Sequence, residues 1–217
     1  MVVAKERKIL PYALIGVVGL AIAGLQRQRQ RPIPTPPLLT FLFENPLVEA
    51  FASSELLVER LGLAAGMRVL DAGCGPGRLT IPVARAVEPS GEIVALDSQR
   101  AMLEKLERRL EAESITNVRT LEAGLGEGAL EWGAFDRVLL AFVLGEVRDR
   151  GAAAHELYAA LKPRGILSVT EGFGDPDYRR TASVRREVEP AGFELVEHFG
   201  GFPVYTLNFR RPEYVAT

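Results

Sequence analysis

Three glycines fall within five positions, at Gly73, Gly75 and Gly77, directly after the apolar run Val69-Leu70-Asp71-Ala72. A helical pattern, Leu79 to Val87, follows at once. Strand, tight glycine turn and helix in succession let the backbone approach a ligand with no Cβ in the way. The helix then points its unsatisfied amides at whatever sits in the turn. About twenty residues on, a second apolar run, Ile93-Val94-Ala95-Leu96, ends in Asp97. A glycine turn after one strand and an acid closing the next describe a nucleotide pocket with a hydroxyl-binding carboxylate. Two further acids end later apolar runs. Glu146 follows Phe142-Val143-Leu144-Gly145, and Glu171 follows Ile166 to Thr170. Each is a candidate general base or acceptor contact, and each has a plainer reading, Glu146 as a helix-capping acid and Glu171 as the close of a loop. Cys74, the one cysteine, lies inside the glycine turn and is expected to be a small packing residue rather than a nucleophile. His155 and His198 have no second histidine or cysteine at ligand spacing, so no metal site is expected.

The elements that must position these residues alternate. Strands are expected at Arg68 to Ala72, Ile93 to Asp97, Val118 to Glu122, Phe135 to Leu144 and Ile166 to Thr170. Helices are expected at Leu79 to Val87, Ala101 to Glu113, Ala152 to Leu161 and Tyr178 to Ala191. In the second helix Met102, Leu103, Leu106 and Leu110 share a face. Phe135 to Leu144 is almost wholly apolar, as befits a strand covered on both faces. Lys162-Pro163-Arg164-Gly165 stops the third helix. Phe193 to Phe199 and Val204 to Phe209, joined through Gly200-Gly201, close the chain as an antiparallel pair. Alternating β and α predicts an α/β fold, Rossmann-like, with helices on both faces of a mostly parallel sheet.

The turn distinguishes two cofactor classes. Nicotinamide enzymes favour G-x-G-x-x-G, whereas this chain has G-x-G-x-G. The stretch LDAGCGPGRLT followed by VALD resembles the class I S-adenosylmethionine-dependent methyltransferases, most of all the small-molecule and lipid-modifying branch that includes quinone-biosynthesis enzymes. The resemblance covers roughly Asn45 to Arg211. It implies a seven-stranded sheet whose last strand inserts antiparallel. It also implies S-adenosylmethionine as cofactor, with Asp71, Gly73, Cys74, Gly75 and Gly77 around the methionine half and Asp97 on the ribose. Ser98 and Met102 would flank the adenosine, while Leu125 and Phe142 would line the same pocket. Many relatives carry an acid after the third strand for the adenine amino group. Here Gly124 takes that place, leaving backbone, Glu122 or Glu127 as substitutes, or no contact at all. Relatives also often have histidine before the acid at Glu146, where this chain has Gly145. An arsenite-type mechanism needs several cysteines and is not expected.

The 217 residues carry a net charge of −2, which offers no general nucleic-acid surface. Residues 1–31 differ from the rest. Ile9 to Leu25 is uncharged, and as a helix it would span about 25 Å, slightly under a hydrocarbon core. Basic residues flank it on both sides, at Lys5, Arg7 and Lys8 and again at Arg27, Arg29 and Arg31. It is expected to be a single-pass membrane anchor, with the catalytic domain on the cytoplasmic side where the cofactor is made. A cleaved signal peptide and a targeting segment are the alternatives. Residues 32–45 form a proline-rich linker and 46–217 the catalytic domain. Leu38 to Leu61 is expected to form one or two helices over the cofactor mouth. The anticipated activity is methyl transfer to a small lipophilic acceptor, a lipid headgroup or quinone-type precursor. The alternatives are a protein amine and a catalytically silent binding module.

Overall fold

The computed structural model describes residues 53–172 and 178–213. Its elements run α1 (Ser54–Leu61), β1 (Arg68–Ala72), α2 (Thr80–Ala86), β2 (Glu92–Asp97), α3 (Arg100–Ala112) and β3 (Val118–Glu122). They continue with β4 (Phe135–Ala141), a 3-10 turn (Leu144–Glu146), α4 (Arg150–Ala160), β5 (Leu161–Gly172) and α5 (Thr181–Val188). A second 3-10 turn (Glu189–Ala191), β6 (Glu194–Gly200) and β7 (Val204–Arg210) complete the order. One seven-stranded sheet takes them in the order β3-β2-β1-β4-β5-β7-β6. All neighbours are parallel except β7, which runs antiparallel to both β5 and β6. The expected Rossmann-like sheet with its inserted antiparallel strand is therefore present.

The period-2 alternation of the strands divides the core between the two faces. Val69, Ile93, Ala95 and Leu139 pack with Leu57 and Leu61 of α1, Val83 and Ala84 of α2, and Leu103 and Leu106 of α3. Leu70, Val94, Val138 and Leu140 point the other way, to Leu157 and Ala160 of α4 and Val184 and Val188 of α5. Both faces being covered explains why the central strands read as continuous apolar runs.

Helix α1 departs from expectation. It begins at a capping Ser53, whose hydroxyl accepts from the Leu56 amide, and stops at Gly62 in the left-handed conformation. It then docks on β5 and β7 rather than over the cofactor mouth. Arg60 donates to Thr206 Oγ1 at 3.0 Å, and Asn208 Nδ2 donates to the Arg60 carbonyl at 2.8 Å. Thr170, Thr206 and Asn208 are buried, so these bonds satisfy the two hydroxyls and the Asn208 Nδ2 in an otherwise apolar layer. The expected anchor Ile9–Leu25, the linker and Leu38 to Phe51 lie outside the described residues. Among the described residues no helix is long and apolar enough to cross a membrane.

Two strand boundaries also differ. β4 ends at Ala141 because Phe142 turns to φ 61° and the chain leaves the sheet. β5 starts at Leu161, with Lys162 to Gly165 looped out as an irregularity. The β4 partners step from Leu161 to Ile166 while β4 itself advances only from Phe135 to Arg137. Arg164 holds φ 66° there and donates to the Arg211 carbonyl.

Candidate active site

The strand order reverses between β1 and β4, and ligands of open α/β sheets bind beyond the carboxyl ends of the strands at that point. A cavity of about 480 Å³ lies there, within the range of small-molecule sites. Asp71, Gly73, Cys74, Gly75, Asp97, Ser98, Met102, Leu125, Phe142 and Glu146, all expected at the site, line it together.

The glycine turn is pinned from below and from the side. Gly73 and Cys74 both donate to the Leu96 carbonyl, at 2.7 and 2.9 Å, which ties the turn to β2. Asp97 accepts from the Gly75 amide at 2.9 Å and from the Gln99 amide at 2.8 Å. Each of its oxygens keeps a second lone pair, so the carboxylate can fix the turn and still receive hydroxyls. A β-carbon on Gly73, which holds φ 77°, would stand 2.4 Å from Val143 Cγ2. Gly73 therefore has to be glycine for Val143 to close the wall. At Gly75 no atom lies within 4 Å of such a carbon, and the space belongs to the cavity.

Two expected contacts are placed elsewhere. Gly77 is not on the cavity lining; a β-carbon there would meet Leu106 Cδ1 at 2.4 Å, so this glycine lets α3 pack against the turn. Glu171 is fully buried and also off the lining. Its carboxylate accepts from the Arg179 amide at 3.1 Å, and it pairs across the sheet with Tyr205, whose phenol donates to the Arg179 carbonyl. Glu171 ends β5, but β7 and the start of α5 enclose it.

Electrostatics mark the two acids at the cavity floor. Burial pushes the Asp71 carboxyl up to about 6, the Thr80 hydroxyl bond at 2.6 Å holding it down somewhat and the Asp97 charge adding to the rise. Burial also raises Asp97, against the stabilising amides of Gln99 and Gly75. A buried carboxylate in this state gains from a cation brought beside it. Burial pushes the Cys74 thiol up, the reverse of an activated nucleophile.

The opposite wall has an unusual backbone. A bulky residue at positive φ is an outlier, and Phe142 is held there by the hydrogen bond its backbone N–H donates to the Thr170 carbonyl at 2.9 Å. A β-carbon at Gly172 would come within 2.7 Å of its ring, so that glycine makes room for it. The Arg78 guanidinium sits over the ring at 5.8 Å. Arg78 and Arg148 line the cavity without having been singled out by sequence reasoning. Only Arg78 had a signal, its place directly after the last glycine. The gap at Gly124 is filled from nearby. Glu127 lines the cavity and accepts from the Gly124 amide at 3.0 Å, with Oε1 2.5 Å from where a β-carbon on Gly124 would stand. Glu122 is exposed and off the lining.

Comparison with known proteins agrees with this geometry. A family model described as a methyltransferase domain matches residues 69–165, which hold both acids, the glycine turn and the Phe142 wall. Over those residues the chain is similar to the methyltransferase-domain family. It is 32% identical over 114 residues to a demethylmenaquinone methyltransferase of Lactococcus lactis, covering 52% of this chain and 45% of that protein. A demethylmenaquinone methyltransferase of Geobacillus is 32% identical over the same length, covering 52% and 49%. The chain thus spans about half the length of the curated relatives it matches. A methyltransferase from Aquifex aeolicus described as dependent on S-adenosylmethionine shares the fold, with a TM-score of 0.75 at 20% identity over 81% of this chain and 98% of that one. The cofactor of this methyltransferase class, S-adenosylmethionine, fits the residues present. Asp71 offers a buried carboxylate to an ammonium, Asp97 offers acceptors to hydroxyls, and Gly75 leaves an open cradle.

Proposed function

We propose that this chain moves a methyl group from S-adenosylmethionine to a lipophilic small molecule, a quinone-type precursor or lipid headgroup, at a membrane. The observation behind it is the division of one cavity. Asp71, the glycine turn and Asp97 stand at the β1–β2 side, and Phe142, Val147 and Glu146 at the β4 side. The cofactor supplies a methyl made electrophilic by its sulfonium. The protein's own work is alignment and removal of one proton. Asp71 would hold the ammonium and Asp97 the ribose hydroxyls, and the Glu146 carboxylate would take the one proton the acceptor loses as its bond to the methyl forms and the methyl–sulfur bond breaks. Phe142 gives an aromatic wall suited to a planar ring. The likeness to demethylmenaquinone methyltransferases favours a quinone-type acceptor over a protein amine. An anchor at Ile9–Leu25 with the domain on the cytoplasmic side would keep the cavity near such an acceptor.

Glu127 bears on the silent-module alternative, since it returns a carboxylate to the place where Gly124 lacks one. Replacing Glu127 by Ala should weaken S-adenosylmethionine binding about 10- to 100-fold, as loss of one hydrogen bond to a charged group does, with Glu122→Ala unchanged. Equal, negligible effects of both variants would remove Glu127 from the site.

The acceptor is tested by incubating the full chain with methyl-tritiated cofactor and membrane extract. Label is expected in the organic phase, and Glu146→Gln should slow its appearance at least tenfold. Label confined to precipitated protein would overturn the small-molecule reading and favour an amine acceptor.

A further inference from the structure

Glu146 sits on a three-residue 3-10 turn, Leu144–Glu146, that has no side-chain cap. The turn's own bond is the Glu146 amide to the Val143 carbonyl at 2.9 Å. Short 3-10 segments have poor hydrogen-bond geometry, and glycine at 145 loosens this one further. What fixes it comes from the next element. Arg150, the first residue of α4, reaches back so that Nε donates to the Leu144 carbonyl at 2.9 Å and an Nη to the Gly145 carbonyl at 2.9 Å. Two donors of one rigid guanidinium on two successive carbonyls fix the direction of the turn as well as its place. Asp149 secures the base of this arm, its carboxylate capping α4 through the Ala152 amide at 2.8 Å.

The guanidinium also has an acidic neighbour. Glu187 of α5 stands 3.9 Å from Arg150 Nε and forms an ion pair with Arg179. The Arg179 amide donates to Glu171 at the end of β5. A connected string therefore runs from the β5 terminus through Arg179, Glu187 and Arg150 to the turn bearing Glu146. Glu146 and Glu171 both belong to it, the first lining the cavity and the second buried at the far end of the string. Arg150 does not line the cavity.

We infer that Arg150, with the Glu187 charge beside it, is the positioning residue that aims the Glu146 carboxylate at the acceptor. This rests on the methyl-transfer reading for the role of Glu146 but not for the architecture of the turn. Its first test therefore needs no acceptor. Hydrogen exchange is followed on the full chain, wild type and variants, with S-adenosylhomocysteine added. Arg150→Ala should speed exchange of the amides of residues 144–147 at least tenfold, Glu187→Gln by a smaller factor, and Arg150→Lys should recover part of the protection. The amides of residues 73–77 should not change. Unchanged exchange at 144–147 in Arg150→Ala would overturn the inference, as would equal loosening of both regions.

Turnover gives the second test, with a naphthohydroquinone lacking the methyl as acceptor. Arg150→Ala should lower kcat about tenfold or more while the cofactor Kd stays within twofold. In a Glu146→Gln background the same change should cost nothing further, because both act through one group. Additive losses would instead show Arg150 acting on something other than Glu146. Absence of cofactor binding by the folded wild type would defeat the methyltransferase reading while leaving the exchange result to stand or fall alone.

Discussion

Asp71→Asn makes the protein more stable and a worse binder of S-adenosylmethionine. The carboxyl is 3% exposed and its folded value stands near 6, against an ordinary 3.8. A shift of this size corresponds to about 3 kcal/mol between the two protonation states. Its sign follows from the raised value. The stabilising contribution is fully present below the unfolded value and is lost as pH rises through 6. At pH 7.5 the folded chain therefore bears the full cost of a buried charge. Asparagine removes that charge and keeps an oxygen to accept from the Thr80 hydroxyl. Unfolding free energy should rise by about 1–3 kcal/mol, and Tm by several degrees. The advantage over wild type should vanish as pH falls from 6 to 4. Cofactor affinity should fall about 10- to 100-fold, the worth of a charged hydrogen bond to an ammonium. Below pH 6 wild-type affinity should weaken likewise, and that of Asp71→Asn should not. Equal affinity in the two proteins at pH 7.5, by calorimetric titration, would show that Asp71 does not meet the ammonium.

The two neighbouring glycines separate fold from ligand. Gly73→Ala puts a methyl 2.4 Å from Val143 Cγ2 at φ 77°. Left-handed strain and overpacking together cost about 3 kcal/mol, and moving Val143 shifts the start of the turn that carries Glu146. Gly75→Ala meets no atom within 4 Å, and its φ of 51° is an ordinary left-handed one. It should cost only about 1 kcal/mol in stability while filling the cavity. The expected pattern is a Tm lowered by about 5–10 °C for Gly73→Ala. For Gly75→Ala it is a small Tm change with cofactor affinity down at least tenfold. Thermal melts with and without S-adenosylhomocysteine distinguish the two. If Gly75→Ala binds as well as wild type, the cradle is not where the ligand lies.

The β1–β2 side of the cavity was legible because its determinants are local. The Gly73–Gly77 turn, Asp71 before it and Asp97 ending the next strand are set by spacing along one βαβ unit, and the sheet registers Ala72 opposite Leu96. The β4 side depends on contacts that spacing does not encode. Ala141-Phe142-Val143-Leu144 reads as continuing strand, yet Phe142 turns left-handed because Gly172, thirty residues on, leaves room for its ring. Glu171 shares with Asp97 the mark of an acid ending a strand. Its fate is decided by Tyr205 and Arg179, which close over it. Gly77 belongs to the motif but serves Leu106. Arg150 gave no sign of its part, since the carbonyls it grips come together with Glu187 only once α4 and α5 pack.

The measurement that bears most directly on the account is calorimetric titration of the full chain with S-adenosylmethionine, S-adenosylhomocysteine and NAD, repeated with Asp97→Ala. Saturable one-to-one binding of the first two, none of NAD, and at least tenfold weaker binding by Asp97→Ala are predicted. A folded chain that binds neither sulfur nucleoside, or that prefers NAD, would contradict it.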